Sequence, residues 1–173
     1  ILYYAPEDTV LSVLQGDTIQ FIVRAVDQAG QELEYEWFLN ENMIGRDTTV
    51  TIIFNELGEN LVNCIISNDD FSNGVNWHVT AEEFFIDSYS PDSLSWTIRR
   101  PREVDFSLGI RALEEIEPQF RWILTGHREQ REDVGDQAIM TYEFDRPGVY
   151  SLEGRAFHEG VEHSIHWQIA VNS

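Results

Sequence analysis

The chain has 173 residues, of which 42% are hydrophobic and 12% aromatic, so it can bury the core of one large domain or of two small ones. Its formal net charge is -20, with 31 acidic residues against 11 arginines and no lysine, which makes nucleic acid an unsuitable partner. Its apolar runs are all shorter than the roughly 20 residues of a membrane-spanning helix, so no membrane span is predicted.

The first half reads as short strands of alternating apolar and polar residues, separated by turn residues. The predicted strands are Thr9–Leu14, Thr18–Asp27, Leu33–Asn40, Thr48–Phe54, Asn60–Ser67 and Val75–Thr80. Turns are expected at Gly16, Gly30 and Gly58, across Asn40-Glu41-Asn42, and at Asn73-Gly74. No convincing amphipathic helix is present. The segment Arg111–Pro118 could pass for a helical turn, but it aligns with a loop of the first half.

The second half repeats the pattern of the first. A shift of 85 residues, rising to 90 after a five-residue insertion, superposes matching aromatic, Gly and Pro residues. The matches include Pro6 with Pro91, Trp37 with Trp122, Phe54 with Phe144, Gly58 with Gly148, and Trp77 with Trp167. This duplication predicts two domains, 1–83 and 84–173. The linker is short and partly apolar, which favours a semi-rigid tandem. The chain begins at Ile1 without a signal-like leader, from which we expect a processed product or a segment of a longer array.

Short strands around a Trp on the third predicted strand are typical of an immunoglobulin-like sandwich. YEWFLNENMIG followed by FNELGENLVNCIISND, and FRWILTGHREQ followed by YEFDRPGVYSLEGRAF, resemble the bacterial PKD-like (polycystin-type) repeat, although the Gly-Asp-Gly turn of that family is missing. NWHVTA and HWQIAV are similar to the closing strand of secreted bacterial Ig-like repeats. The expected fold class is therefore all-β, with two tandem immunoglobulin-like (PKD-like) β-sandwich domains joined by a short linker. The resemblance implies an extracellular, non-enzymatic spacer or adhesion module.

Two pairs of tryptophans are interpreted as core residues rather than as sugar-stacking platforms. The third and last strands of a sandwich sheet would flank the strand that holds the single cysteine, Cys64, or in the second half Gly154. A small residue fits between two indoles, and each indole would bury roughly 200 Å². The predicted structural core therefore contains Trp37, Trp77 and Cys64 in the first domain and Trp122, Trp167 and Gly154 in the second.

Calcium is the ion that the acidic loops favour, and no other cofactor is expected. Asp69 and Asp70 share one predicted loop and Asp27 lies in another, and hard carboxylate oxygens on such loops are suitable Ca²⁺ ligands. The alternative is that these loops are only solvated.

Three histidines near the C-terminus form a second candidate metal site. A four-residue loop, Glu159 to Glu162, would place His158 opposite His163, with His166 nearby, as ligands for Zn²⁺ or Cu²⁺. The alternative is that they are solvated residues at a hairpin tip.

No nucleophile elbow, His-Glu-x-x-His motif or phosphate-binding Gly loop occurs, so the chain is predicted not to be an enzyme. We expect a non-catalytic structural or adhesive module of a secreted or cell-surface bacterial protein, in a stalk, fibre or self-assembling filament. Its expected partners are copies of itself or neighbouring repeats, with Ile1, Tyr3 and Tyr4 pairing with the strand edge of the next subunit.

The alternative is a carbohydrate- or protein-binding accessory module of a secreted enzyme. Its exposed aromatic strip would contain Trp96, Tyr89, Phe84 and Phe85.

Overall fold

The structure, a computed structural model, describes residues 1–126 and 129–173. These residues form two compact units, Ile1–Glu83 and Phe84–Ser173. Each unit has two β-sheets that enclose a hydrophobic core, as alternating side chains of each strand point inward. The described residues contain no helix that is long and apolar enough to cross a membrane.

Unit 1 contains eight strands. They are β1 (Tyr3–Ala5), β2 (Val10–Leu14), β3 (Thr18–Arg24), β4 (Glu34–Leu39), β5 (Asn42–Gly45), β6 (Thr49–Ile53), β7 (Gly58–Ser67) and β8 (Ser72–Glu82). One sheet has the order β1-β3-β6 and the other β2-β8-β7-β4-β5. All neighbouring strands are antiparallel except β2 and β8, which run parallel.

The described part of unit 2 repeats this arrangement. Its strands are β9 (Phe84–Ser90), β10 (Ser95–Arg99), β11 (Arg102–Ala112), β12 (Gln119–Thr125), β13 (Arg131–Gly135), β14 (Ile139–Phe144), β15 (Gly148–His158) and β16 (Val161–Asn172). The sheets have the orders β9-β11-β14 and β10-β16-β15-β12-β13, and β10 and β16 form the parallel pair. The predicted fold class, two tandem immunoglobulin-like sandwiches, is confirmed. The narrower likeness to PKD-like bacterial repeats stays a prediction.

The predicted turn after β4 is confirmed but is one residue shorter than expected, and the predicted turn at Asn73-Gly74 is wrong. Asn42 belongs to strand β5, because the reversal before it needs just Asn40 and Glu41, whose φ angles of 48° and 71° are both left-handed. Gly74 lies inside β8, opposite Ile65. The chain instead reverses just after Asn68, whose side-chain oxygen accepts hydrogen bonds from the two amides that follow Asp69.

Two stacked indoles lie at the centre of each core. The ring centroids of Trp37 and Trp77 are 5.8 Å apart with 19° between the planes, and those of Trp122 and Trp167 are 5.7 Å apart at 28°. All four side chains are fully buried. In unit 1 the opposing sheet supplies Phe21, whose ring packs against both indoles. Because these rings come from both sheets, they hold the two layers of the sandwich together.

Each buried indole donates its N–H to a backbone carbonyl. The four acceptors are Asp47 O for Trp37 and Gln137 O for Trp122, both at 2.7 Å, and Pro6 O for Trp77 and Pro91 O for Trp167, both at 2.9 Å. All four acceptors lie in segments where the chain passes from one sheet to the other. An unpaired buried N–H would cost about 1–3 kcal/mol, so the indoles hold these crossing segments in place.

The strand between the two indoles carries a small residue in each unit. Trp37 pairs with Cys64 in register and Trp122 with Gly154. A Cβ at Gly154 would lie 2.6 Å from a ring carbon of Trp122, so the indole already occupies that space. The Cys64 side chain is fully buried, and desolvation raises the pKa of its thiol to about 12.

We expect Gly154→Ala to destabilise the protein by about 1–3 kcal/mol, because the new methyl group overlaps a packed ring. Gly45→Ala is the matched control. Gly45 also lies opposite a core tryptophan, but a Cβ there meets no atom closer than 3.8 Å. Urea unfolding followed by tryptophan fluorescence measures both variants. Equal midpoints for the two would contradict this account of the Trp122 packing.

Candidate functional site

The N-terminal aromatic segment is exposed at the edge of a sheet. Ile1 and Tyr3 are 44% and 46% exposed, and Tyr4 is 36% exposed while its ring packs edge-on against Trp77 at 6.0 Å. Strand β1 pairs with β3 on one side only. Its free backbone edge has the form that strand addition requires, and the pairing of this segment with another subunit stays a prediction.

The predicted strip of four exposed aromatics is not present. Phe84 is fully buried and packs edge-on against the ring of His163, and Phe85 is also buried. Tyr89 is half-buried against Trp167. Trp96 is half-buried, with its ring 6.1 Å from that of Phe106. The four aromatics do not form an exposed strip, because Phe84 and Phe85 begin strand β9 and both of their side chains are buried.

The two acidic loops of unit 1 are tied to each other by amide groups. Asp27 accepts hydrogen bonds from the Ala29 amide at 2.5 Å and from Asn68 Nδ2 at 2.8 Å, and these bonds, the first above all, lower the pKa of the Asp27 carboxyl. Asp70 accepts one from Gln31 Nε2 at 3.0 Å. Among the described residues, no three His, Cys, Asp or Glu side chains are grouped so that they could hold a metal ion. Calcium binding by Asp27, Asp69 and Asp70 stays a prediction.

The predicted pairing of histidines across the last hairpin is wrong. The turn has two residues, Glu159 and Gly160, with φ angles of 44° and 90°. His158 therefore lies opposite Val161, and His163 lies opposite Ala156. A two-residue turn shifts the register away from the one that a four-residue loop would give.

Charged pairs lie on the outward face of the five-stranded sheet of unit 2. Arg155 binds both carboxylate oxygens of Glu153, at 2.7 and 3.0 Å, and also contacts Glu162 at 2.9 Å. On the neighbouring strands Arg121 Nε lies 2.7 Å from Asp133. The hydrogen bonds from Arg155 are the main reason why the pKa of Glu153 is lowered. These contacts satisfy the charges locally, across β12, β13, β15 and β16.

The corresponding face of unit 1 is apolar and amide-rich. We call it the unit 1 face and define it as the outward side chains of β2, β8, β7, β4 and β5. Its apolar members are Val10, Phe38, Met43, Leu61 and Ile65, and its uncharged polar members include Asn63, Asn76 and His78. Val10, Met43 and Leu61 are 77%, 46% and 38% exposed. Charged residues lie in the rows on either side of its centre, where Glu36 pairs with Ile65 and approaches Arg46, and Glu59 pairs with Thr80.

The two faces differ at equivalent positions of the duplication. Asn63 and Ile65 stand where unit 2 has Glu153 and Arg155, whereas Phe38 and its equivalent Ile123 are both apolar. The unit 1 face was not predicted from the sequence, although the sequence contains a signal for it. Phe38, Leu61 and Ile65 are apolar at the positions of the alternating pattern that point away from the core.

No protein-family profile and no curated protein matches the chain. Three solved structures of tandem domains are similar to it. The three N-terminal domains of the bacteriophage RB49 outer capsid protein Hoc are 11% identical, with a TM-score of 0.40, and the match covers 99% of this chain and 69% of that one. A chimeric titin Z1Z2-Z1Z2 tandem is 11% identical, with a TM-score of 0.36, and the match covers 95% of this chain and 94% of that one. The four N-terminal Ig domains of Dscam1 isoform 6.9 are 11% identical, with a TM-score of 0.40, and the match covers 96% of this chain and 45% of that one. The chain spans less than half the length of that Dscam1 structure.

We expect Arg155→Met to raise the pKa of Glu153, because the hydrogen bonds that lower it are lost while partial burial remains. In the native protein, the lowered pKa stabilises the fold at pH values above the unfolded-state pKa, and this contribution disappears as the pH falls through the folded-state pKa. Arg155→Met should lose this pH-dependent contribution to the free energy of unfolding. Carboxyl titration by NMR measures the shift, with Arg121→Met, whose partner is Asp133, as the control. An unchanged Glu153 pKa in Arg155→Met would contradict the assignment.

Proposed function

We propose that the chain is a non-catalytic structural module of an extracellular, surface-displayed protein, and that its two sandwiches bear tension along the chain. The observation that carries this proposal is the parallel pairing of an early strand with the last strand in both units. In unit 1 the pairing runs from Val10 opposite His78 to Leu14 opposite Glu82. In unit 2 it is repeated by β10 and β16.

Further backbone hydrogen bonds extend each parallel pair at both ends. In unit 1 the His78 amide donates to Thr9 O at 2.8 Å, and the Gln15 amide donates to Glu82 O at 3.0 Å. The same two bonds recur in unit 2, from Gln168 to Leu94 O and from Arg100 to Asn172 O. Both units therefore keep the parallel strand pair and the two hydrogen bonds that extend it, although most of the surrounding side chains differ.

The direction of these strands determines how they respond to load. Tension draws β2 toward the N-terminus and β8 toward the C-terminus, so two adjacent parallel strands are forced to slide past each other. The hydrogen bonds between them are then strained together. In an antiparallel hairpin pulled at its open end, the bonds break one after another. Since forced unfolding is governed by the unfolding rate, the sliding geometry resists tension better at equal stability.

Single-molecule force spectroscopy tests this proposal by changing the points of attachment. We expect a higher unfolding force when the full chain is pulled by its ends than when it is pulled through cysteines at Glu59 and Glu83. These positions lie at the open end of the antiparallel β7–β8 pair. Cys64 does not compete for attachment, because it is buried and its pKa is raised to about 12. An equal or lower force for the end-to-end pull would contradict the load-bearing proposal.

A second candidate function, glycan binding, is supported by a shallow groove beside Trp96. The groove is lined by Pro91, Ser93, Trp96, Arg102, Glu103, Val104 and Asp105. A half-exposed indole next to hydrogen-bonding side chains has the chemistry of a sugar subsite. The surface therefore combines an apolar ring with polar partners.

We expect a glycan that uses this groove to quench the fluorescence of Trp96, because the other four tryptophans are fully buried. Titration with a panel of polysaccharides measures the quenching, and Trp96→Ala should abolish it. Trp96→Phe is the conservative control, which keeps an aromatic surface for binding measured by calorimetry. Quenching that survives in Trp96→Ala would remove this candidate.

A further inference from the structure

We propose that the unit 1 face is a contact surface for a second copy of this chain, so that two molecules associate face to face through their first sandwiches. The inference is independent of the load-bearing proposal. It starts from the difference between two equivalent faces of the same fold. Unit 2 has paired charges at the centre of its five-stranded sheet, whereas the centre of the corresponding sheet in unit 1 has apolar, amide and imidazole side chains and no Asp, Glu or Arg.

At the centre of the unit 1 face, two neighbouring rows of paired residues contain apolar and polar side chains but no Asp, Glu or Arg. Val10 pairs with His78, which pairs with Leu61, so one row crosses three strands. In the next row Phe38 pairs with Met43 on one side and with Asn63 on the other. A centre without Asp, Glu or Arg, with charged residues in the rows on either side, is the composition of a protein interface rather than of a solvated sheet.

The charge distribution identifies a second copy as the occupant. Unit 1 carries 15 acidic residues and two arginines, and the whole chain has a net charge of -20, so two copies repel each other over most of their surface. A cationic partner would instead be drawn to the many carboxylates elsewhere. The low charge at the centre of the unit 1 face makes it the surface where a like-charged copy can approach with least repulsion.

The polar groups of this face are compatible with a symmetric contact. Asn63 on β7 donates a hydrogen bond to the side chain of Asn76, its partner on β8. Each side-chain amide has both donors and acceptors, so the same patch can satisfy its own copy. A two-fold dimer requires this self-complementarity, because the same residues meet on both sides.

The size of the face sets the strength of the contact. Five strands about 4.8 Å apart and several residues long give a patch of roughly 500 Å² per molecule. Stable complexes bury about 800 Å² per partner. The association is therefore weak, and it depends on the protein concentration that a dense surface layer would supply.

Sedimentation velocity of the full chain, from about 10 μM to about 1 mM, tests the proposal. We expect the weight-average sedimentation coefficient to rise with concentration, and to rise more at about 0.5 M than at about 0.05 M NaCl, since salt screens the mutual repulsion. The double substitution N63E/I65R places the Glu153–Arg155 pair of unit 2 on the unit 1 face without changing the net charge. It should weaken association by about tenfold or more.

Two controls separate this contact from other causes. The variant Q20E/I22R places the same residue pair, with the same spacing, on the outward side of β3 in the opposite sheet, and should associate as the native chain does. Thermal unfolding of both variants establishes that they are folded. If either one fails to fold, Leu61→Gln and Ile53→Gln replace them as the face and control variants, because both side chains are exposed. A monomer at every concentration, or association that survives in the folded face variant, would overturn the proposal.

Discussion

In each unit two buried indoles stack on each other and donate their N–H groups to the backbone segments where the chain changes sheet. This arrangement joins packing to topology. The faces of the indole rings pack in the hydrophobic core, while their two N–H groups hold the crossing segments in place through hydrogen bonds. Strand order, the parallel pairing of early and late strands, and the direction of every outward side chain depend on those crossings. A fold held in this way tolerates wide change in the rest of its sequence, as the two units demonstrate.

The duplication separates what the core requires from what the surface can vary. Trp37 and Trp122 keep the same hydrogen bond, whereas the residues beside them on the strand, such as Phe38 and Ile123, face outward and differ. Cys64 and Gly154 show that the core itself also adapts. The ring of Trp122 fills the volume that a side chain at Gly154 would need, while unit 1 buries the thiol instead. Two copies of one core have therefore acquired different outward surfaces.

The proposed roles use different parts of this architecture. The proposed resistance to tension depends on backbone bonds between parallel strands, which are present in both units. The proposed self-association depends on side chains of the unit 1 face, and in unit 2 Glu153 and Arg155 occupy positions equivalent to Asn63 and Ile65. The strong acidity of the chain connects the two roles. It keeps molecules apart over most of their surface and so favours contact at the face with the least charge.

The sequence by itself determined the strands, the duplication and the identity of the fold, because period-two alternation and repeated aromatics depend on local geometry and on one buried face. It also indicated that the tryptophans at 37, 77, 122 and 167 pack around a small residue. Tertiary structure alone decided the exact turns, and with them the register that separates His158 from His163. It also decided the burial of Phe84 and Phe85, and the placement of Phe38, Leu61 and Ile65 on one outward face. The physical reason is that register and lateral neighbours come from pairing between distant strands, which no spacing along the chain encodes.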